Sequence, residues 1–295
     1  MILVTGATGS TGRQLVSQLR ERGAAFRALV RDEAKGRALG AEYAVGDFED
    51  RASLAAAMDG VERVFLASPG AQAEAPGGEQ PMIRWERNAI DAAKAAGVRY
   101  VVKLSVLDAK VGGPMSAGGH GATEAYLKES GMEWTMLQPG GFMQNFLDPA
   151  ASLADEDGNL LGTAEDARVA FIDCYDIAAC AAVLLTGEVG RGAALPLTGP
   201  EAISYQEVAA ELTRAWGRPV GYRVVSEEAI AKRLRGFGLE AGLAEELASL
   251  YAGIGEGRYS AVTDAVRDLT GRGPRSFEQF MAAHPEAFPG LAIRD

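Results

Sequence analysis

Short apolar runs recur through the first half of the chain, separated by stretches of helical period. Ile2 to Val4, Val64-Phe65-Leu66 and Tyr100-Val101-Val102 are uninterrupted, the pattern of strands covered on both faces. Leu15, Val16 and Leu19 instead follow a helical spacing. This rhythm predicts strands over 2–5, 26–30, 41–45, 62–67, 99–104 and 134–138. It predicts helices over 11–22, 51–58, 80–96 and 119–130. Gly23, Gly60, Gly97 and Gly131 stand where each of four helices should stop. Strand and helix in alternation imply an α/β chain with a parallel, doubly wound sheet and right-handed crossovers.

The join between the first strand and first helix carries the strongest chemical signal. It reads Thr5-Gly6-Ala7-Thr8-Gly9-Ser10-Thr11-Gly12-Arg13. Strand, glycine turn and helix together make a cradle for dinucleotide phosphates, because the helix N-terminus presents free N–H groups and a positive dipole end. Gly6 permits the tight turn, Gly9 lets backbone approach a pyrophosphate, and Gly12 lets the helix pack close to the strand. Gly6, Thr8, Gly9, Ser10, Thr11 and Gly12 are therefore assigned to cofactor binding. The Gly-x-x-Gly-x-x-Gly spacing points to short-chain dehydrogenase-type folds rather than long-chain dehydrogenases. The fold expected is Rossmann-type.

After Pro139-Gly140-Gly141 the rhythm changes. A loop-rich stretch over 148–166 precedes a strand near 168–172 and a helix near 174–186. A strand near 194–198, a helix near 204–215 and a strand near 220–225 follow, and the remainder reads mostly as helix. Residues 1–140 are read as the NAD(P)-binding domain. Residues 141–295 are read as a smaller, interleaved substrate-binding lobe with some elements returning to the main sheet. Gly70 to Pro81, rich in Gly, Ala and Pro, reads as a flexible loop beside the cofactor edge.

Composition narrows the function classes. A hydrophobic content of 47% is ample for a core, and a net charge of −11 disfavours nucleic acid and anionic membrane as partners. No apolar stretch reaches the length of a membrane span. With the first strand read at residue 2, no signal peptide is expected, and the chain is read as soluble and cytoplasmic. The two cysteines, Cys174 and Cys180, form neither a CxxC pair nor a disulfide framework and are read as small core residues. The two histidines, His120 and His284, lie in no metal-ligand pattern, so no metal is expected.

Further candidates stand at the ends of strands, where open α/β sheets bind ligands. Arg31 ends the second strand. An arginine there suits the 2′-phosphate of NADP, whereas a carboxylate would suit the ribose of NAD. NADP(H) is thus preferred over NAD(H), with Lys35 and Arg13 as helpers and the adjacent Asp32 blurring the signal. Asp47 and Phe48 could hold the adenine, or cap the next helix and fill a gap. Ala67, Ser68 and Pro69 after the fourth strand and Ser105 after the fifth should line the nicotinamide ribose, though Ser105 also suits an ordinary turn. Pro139 and Gly140 are placed at the cofactor. His120 and Glu124 share a helix face, and a histidine beside a carboxylate can exchange a proton near neutral pH. The alternative pairs Glu124 with Lys128 and leaves His120 as a cap. Phe142, Met143 and Phe146 could form an apolar wall for the substrate, or belong to the core.

Taken together, these residues resemble the NmrA-like branch of atypical short-chain dehydrogenases. Gly6 to Arg13, Leu29-Val30-Arg31-Asp32 and Gly46-Asp47-Phe48 match its cofactor motifs. Asn88 in Asn88 to Val98 matches its fourth-helix pattern, and Glu124 to Leu127 with Ser130-Gly131, then Gln138 to Asn145, match its centre. Asp176-Ile177-Ala178 and Thr270 to Phe277 match its C-terminal half. The family includes NADPH-dependent quinone reductases, triphenylmethane-dye reductases, isoflavone-reductase-like enzymes and redox-sensing regulators. The resemblance implies a dinucleotide fold and NADP(H). One feature departs from orthodox short-chain dehydrogenases: no Tyr-x-x-x-Lys occurs anywhere in the chain. His120-x-x-x-Glu124 stands in its place, which argues against alcohol oxidation through a phenolate. The expected function is NADPH-dependent hydride transfer to a small apolar quinone-like or conjugated carbonyl substrate, with His120 as the catalytic candidate. The alternatives are a non-catalytic NADP(H)-sensing regulator and a ketone or enone reductase of secondary metabolism. The expected partner is a small-molecule substrate, and the protein is expected to be a monomer or small homo-oligomer.

Overall fold

The computed structural model describes residues 1–69, 80–148 and 151–291. The expected loop over Gly70 to Pro81 therefore lies, but for its last two residues, outside the described residues. The chain runs β1 (Ile2–Val4), α1 (Ser10–Glu21), β2 (Phe26–Val30), α2 (Glu33–Ala38), β3 (Tyr43–Val45), α3 (Arg51–Ala57), β4 (Arg63–Leu66), α4 (Pro81–Ala95), β5 (Tyr100–Leu104), α5 (Met115–Glu129) and β6 (Glu133–Pro139). It continues with β7 (Leu160–Gly162), β8 (Arg168–Val169), α6 (Cys174–Thr186), β9 (Ala193–Leu197), β10 (Ile203–Ser204), α7 (Tyr205–Trp216) and β11 (Tyr222–Val224). The last elements are α8 (Glu227–Gly236), α9 (Ala241–Gly255), α10 (Ala265–Thr270) and α11 (Phe277–Ala282).

Seven strands form one sheet in the order β3-β2-β1-β4-β5-β6-β9, and every neighbouring pair is parallel. This is the Rossmann-type arrangement. The strand order reverses beside β1, between β2 and β4, so a crevice is expected at the carboxyl ends there. Side chains alternate across the sheet. Leu3, Val64, Leu66, Val101 and Met136 share one cluster with Leu54 of α3, Ala89, Ile90 and Ala93 of α4, and Leu127 of α5. On the other face α1 packs on α6, and Gln18 Nε2 donates to the Tyr175 carbonyl at 3.0 Å. Most residues of α6 are buried, which explains its apolar sequence on all sides.

The chain divides into two compact units. The first comprises Met1–Pro139, Cys174–Leu197 and Asp268–Gly271, so it includes α6 and the seventh sheet strand, β9. The second comprises Gly140–Asp173, Thr198–Arg267 and Arg272–Asp295. Its strands pair as β7 with β11 in parallel and β8 with β10 antiparallel. Its core is aromatic: Phe146 meets Phe171 and Phe277 edge to face, with ring centroids 5.1 and 5.2 Å apart.

Most predicted strands and helices form within a residue or two of their expected bounds. The departures have local causes. Helix α2 was not expected; Asp32 starts it by accepting from the Ala34 and Lys35 amides. Helix α5 begins at Met115 rather than 119, through a segment containing Gly118, Gly119 and Gly121 that reads as helix-averse. Those glycines answer a packing need. A Cβ on Gly118 would stand 2.1 Å from the Gly113 carbonyl oxygen, and one on Gly121 would stand 2.1 Å from the Lys110 carbonyl carbon.

Candidate functional site

The glycine turn after β1 is built as the spacing requires. Gly6 has φ +61°, and a Cβ there would also press within 2.9 Å of the Ala67 carbonyl. A Cβ on Gly12 would stand 2.1 Å from the Gly6 carbonyl oxygen, so the first turn of α1 folds directly over the end of β1. Gly9 is the N-cap of α1, and no side chain caps the helix. Its first-turn amides have no acceptors within the helix, the state in which a helix N-terminus can receive an anion. Thr5, given no role on the sequence alone, fixes this edge. Its buried hydroxyl donates to the Ala67 carbonyl at 2.9 Å and accepts from the Ala67 amide at 2.8 Å, tying β1 to the end of β4.

The end of β2 separates two residues that the sequence left entangled. The Asp32 carboxylate is committed to capping α2, accepting from Ala34 N at 2.7 Å. The exposed Arg31 side chain makes no hydrogen bond or ion pair among the described residues, and neither do Arg13 and Lys35. After β3, Asp47 accepts from the Glu49 amide at 2.9 Å, while the Phe48 ring is buried in the core of the first unit. Asp50, not Asp47, caps α3. Asn88 secures this turn by donating to the Phe48 carbonyl at 2.8 Å and accepting from Arg51 at 3.0 Å. The residues present therefore fit a dinucleotide: a helix N-terminus without a side-chain cap for its phosphates and, at the end of β2, a cation without a partner among the described residues.

Behind the ends of β4 and β5 lies a polar array that sequence reasoning found only in part. Val101, Lys103 and Ser105 point to the same side of the sheet. Lys103 is fully buried, and its Nζ lies 2.6 Å from Oε2 of the equally buried Glu86 on α4. The same ammonium donates to His120 Nδ1 at 2.9 Å and to the Leu104 carbonyl at 3.3 Å. Ser68 donates to Glu86 Oε1 at 3.0 Å. Burial, and then the Lys103 charge, pull His120 from 6.5 down to about 2. The imidazole is neutral across the physiological range.

His120 and Glu124 do lie one turn apart on α5, but they take different partners. Glu124 accepts from Ser105 at 2.6 Å and from Gln138 at 2.9 Å, and its other oxygen lies 3.6 Å from Lys128. The expected imidazole–carboxylate couple is thus replaced by an imidazole–ammonium contact. His120 sits mid-helix rather than at the N-terminus, and Ser105 is buried against Glu124. Pro139 accepts from the Leu107 amide at 2.9 Å. In the second unit, Met143 and Phe146 are 1% and 4% exposed and belong to its apolar core, so of the three expected wall residues only Phe142 keeps accessible surface. Gly140 has only the Ala170 carbonyl within reach of an added Cβ, at 3.8 Å. Gly141 makes room for the Phe171 ring, which a Cβ would meet at 2.9 Å.

Glu86 and Lys103 were legible as anomalies. Glu86 interrupts the buried stripe of Met82, Ala89, Ile90 and Ala93 on α4, and Lys103 interrupts an apolar strand. A charge at a core-facing position is rare unless paired.

The NmrA-like family matches this chain over residues 1–281. The chain belongs to the NmrA-like family. Among its relatives, NAD(P)H azoreductase of Xenophilus azovorans is 38% identical over 98% of this NmrA-like chain and 99% of its own length. The NADPH complex of the Escherichia coli quinone oxidoreductase QOR2 superposes with a TM-score of 0.82 at 33% identity, covering 96% of this chain and 99% of that one. Citrobacter triphenylmethane reductase with NADP(H) superposes at 0.80 and 25% identity, covering 96% and 100%. No helix among the described residues is long and apolar enough to cross a membrane.

Proposed function

We propose that this NmrA-like chain is an NADPH-dependent reductase of small, apolar, electron-poor acceptors of the quinone or conjugated-carbonyl type. One observation carries the reading: α1 has an N-terminus without a side-chain cap, and Arg31 at the neighbouring strand end has no side-chain partner among the described residues. Relatives named as an NAD(P)H azoreductase and an NADPH-complexed quinone oxidoreductase support it. The amides of Ser10, Thr11 and Gly12 hold the pyrophosphate, with Gly6, Thr8 and Gly9 shaping the turn. Arg31, helped by Arg13 and Lys35, holds the 2′-phosphate and sets the preference for NADP(H) over NAD(H). Asp47 and the backbone at Phe48 border the adenine, while Ala67, Ser68, Pro69, Pro139 and Gly140 border the nicotinamide ribose.

Bound in this cradle, the dihydronicotinamide supplies the hydride. His120 meets the negative charge that develops on the acceptor oxygen, as a neutral donor rather than an acid. A quinone suits such a site because its reduced anion is stable without strong acid help, and positioning then supplies most of the rate. That accounts for the missing Tyr-x-x-x-Lys. The enzyme is cytoplasmic in this reading, a monomer or small homo-oligomer. The experiment is NADPH oxidation against a panel of quinones, azo compounds and enones, with turnover well above background expected for at least one class.

A second reading, an NADP(H)-sensing regulator, is favoured by the same absence of Tyr-x-x-x-Lys. It predicts tight NADPH binding, no hydride transfer to any acceptor, and a protein partner whose affinity changes with cofactor.

A further inference from the structure

The Lys103 ammonium has three protons and faces three acceptors: Glu86 Oε2 at 2.6 Å, His120 Nδ1 at 2.9 Å and Leu104 O at 3.3 Å. An ammonium can only donate, so Nδ1 of His120 must accept. The ring proton then belongs to Nε2. Lys103 and Glu86 are both fully buried, whereas His120 is half-buried. Three elements carry them: β5 supplies the lysine, α4 the glutamate and α5 the imidazole. A buried ion pair contributes little net stability compared with apolar residues of the same volume, so packing alone does not explain it.

We propose that Lys103, held by Glu86, is a positioning residue that fixes His120 as a neutral imidazole protonated at Nε2, so that the ring meets the acceptor only as a hydrogen-bond donor. This rests on the reading of His120 as the group facing the acceptor. The ring keeps its proton throughout, and the reduced anion takes its own proton from water after release. Among the described residues, the charged groups facing the ring are Lys103 from β5 and, paired with it, Glu86 from α4. Glu124, one turn along α5, is held by Ser105, Gln138 and Lys128.

The chain offers an internal control, because it has only two histidines. His284 Nδ1 lies 2.8 Å from the Phe280 carbonyl, which can only accept, so this Nδ1 carries a proton, opposite to Nδ1 of His120. Nitrogen-15 spectra of histidine-labelled protein, assigned with a His284→Gln variant, read both rings directly. The expected result is Nε2–H for His120 and Nδ1–H for His284, with His120 unchanged between about pH 5 and 8. The double variant Lys103→Met with Glu86→Gln removes both charges and leaves no unpaired ion. There His120 should populate both tautomers, while burial, the larger cause of its lowered pKa, still keeps the ring neutral. Quinone turnover should fall roughly tenfold or more in kcat, with KM for NADPH unmoved.

A wild-type His120 protonated at Nδ1, or ring signals identical in the double variant, overturns the proposal. The wild-type spectrum decides the tautomer even if the variant does not fold. Absence of turnover in the wild type would instead remove the reductase reading and leave the ring-nitrogen result standing.

Discussion

At single residues, the site is a matter of which charges are already committed. Arg31 and Asp32 are adjacent, yet the carboxylate is engaged by the amides of α2 and the guanidinium is not engaged at all among the described residues. Arg31→Ala should therefore weaken NADPH binding by about tenfold or more and spare NADH, since a charge-assisted phosphate contact is worth about 1.5–3 kcal/mol. Titration of both cofactors by fluorescence checks this; equal losses would reject the assignment. His120 yields a pH prediction. Its pKa is lowered from 6.5 to about 2 on folding, so between those values the unfolded chain binds a proton that the folded chain refuses. Stability is full above the unfolded value and is lost as pH falls below it. Thermal melts from pH 7.5 down to 5 should decline in the parent and flatten in His120→Gln, a window above most carboxylate titration (roughly pH 4).

Among elements, the glycines after β1 do different work and should fail differently. A Cβ on Gly12 collides with Gly6 backbone at 2.1 Å, whereas one on Gly9 stands 3.3 Å from the Gly6 carbonyl. Gly12→Ala should lower Tm markedly, in line with an overpacking cost of about 1–3 kcal/mol. Gly9→Ala should keep most of the fold and lose dinucleotide affinity, because the added methyl crowds the anion's approach. Calorimetry of both variants with and without NADPH separates these effects; similar Tm losses would contradict the distinction. The glycines of α5 show the same logic hidden from propensity. They weaken a helix that is held by the close approach of the 110–113 backbone.

For the molecule as a whole, the thiols report on the integrity of the first unit. Cys174 and Cys180 are both 0% exposed on α6, so a thiol reagent should label neither in the native protein and both after denaturation. Fast native labelling would show that α6 opens locally. Most of the main sheet could be read from the chain, because apolar triplets, helical spacing and glycine stops are local signals that propagate directly into β1–β6 and their helices. The glycine turn after β1 was legible for the same reason: its three glycines act within one turn. Short β7 and β10, at 160–162 and 203–204, lacked such a signal. The roles of Phe48, Met143 and Phe146 depended on what packs around them, and an aromatic or thioether reads alike as wall or core. The pairing of Glu86, Lys103 and His120 needed three elements brought together, and so did the transfer of Glu124 to Ser105 and Gln138. Periodicity tells which face a side chain takes, and hydrogen bonding inside a low-dielectric core decides its partner. That partner, and with it the neutral state of His120, exists only once the sheet has set β5 beneath α4 and α5.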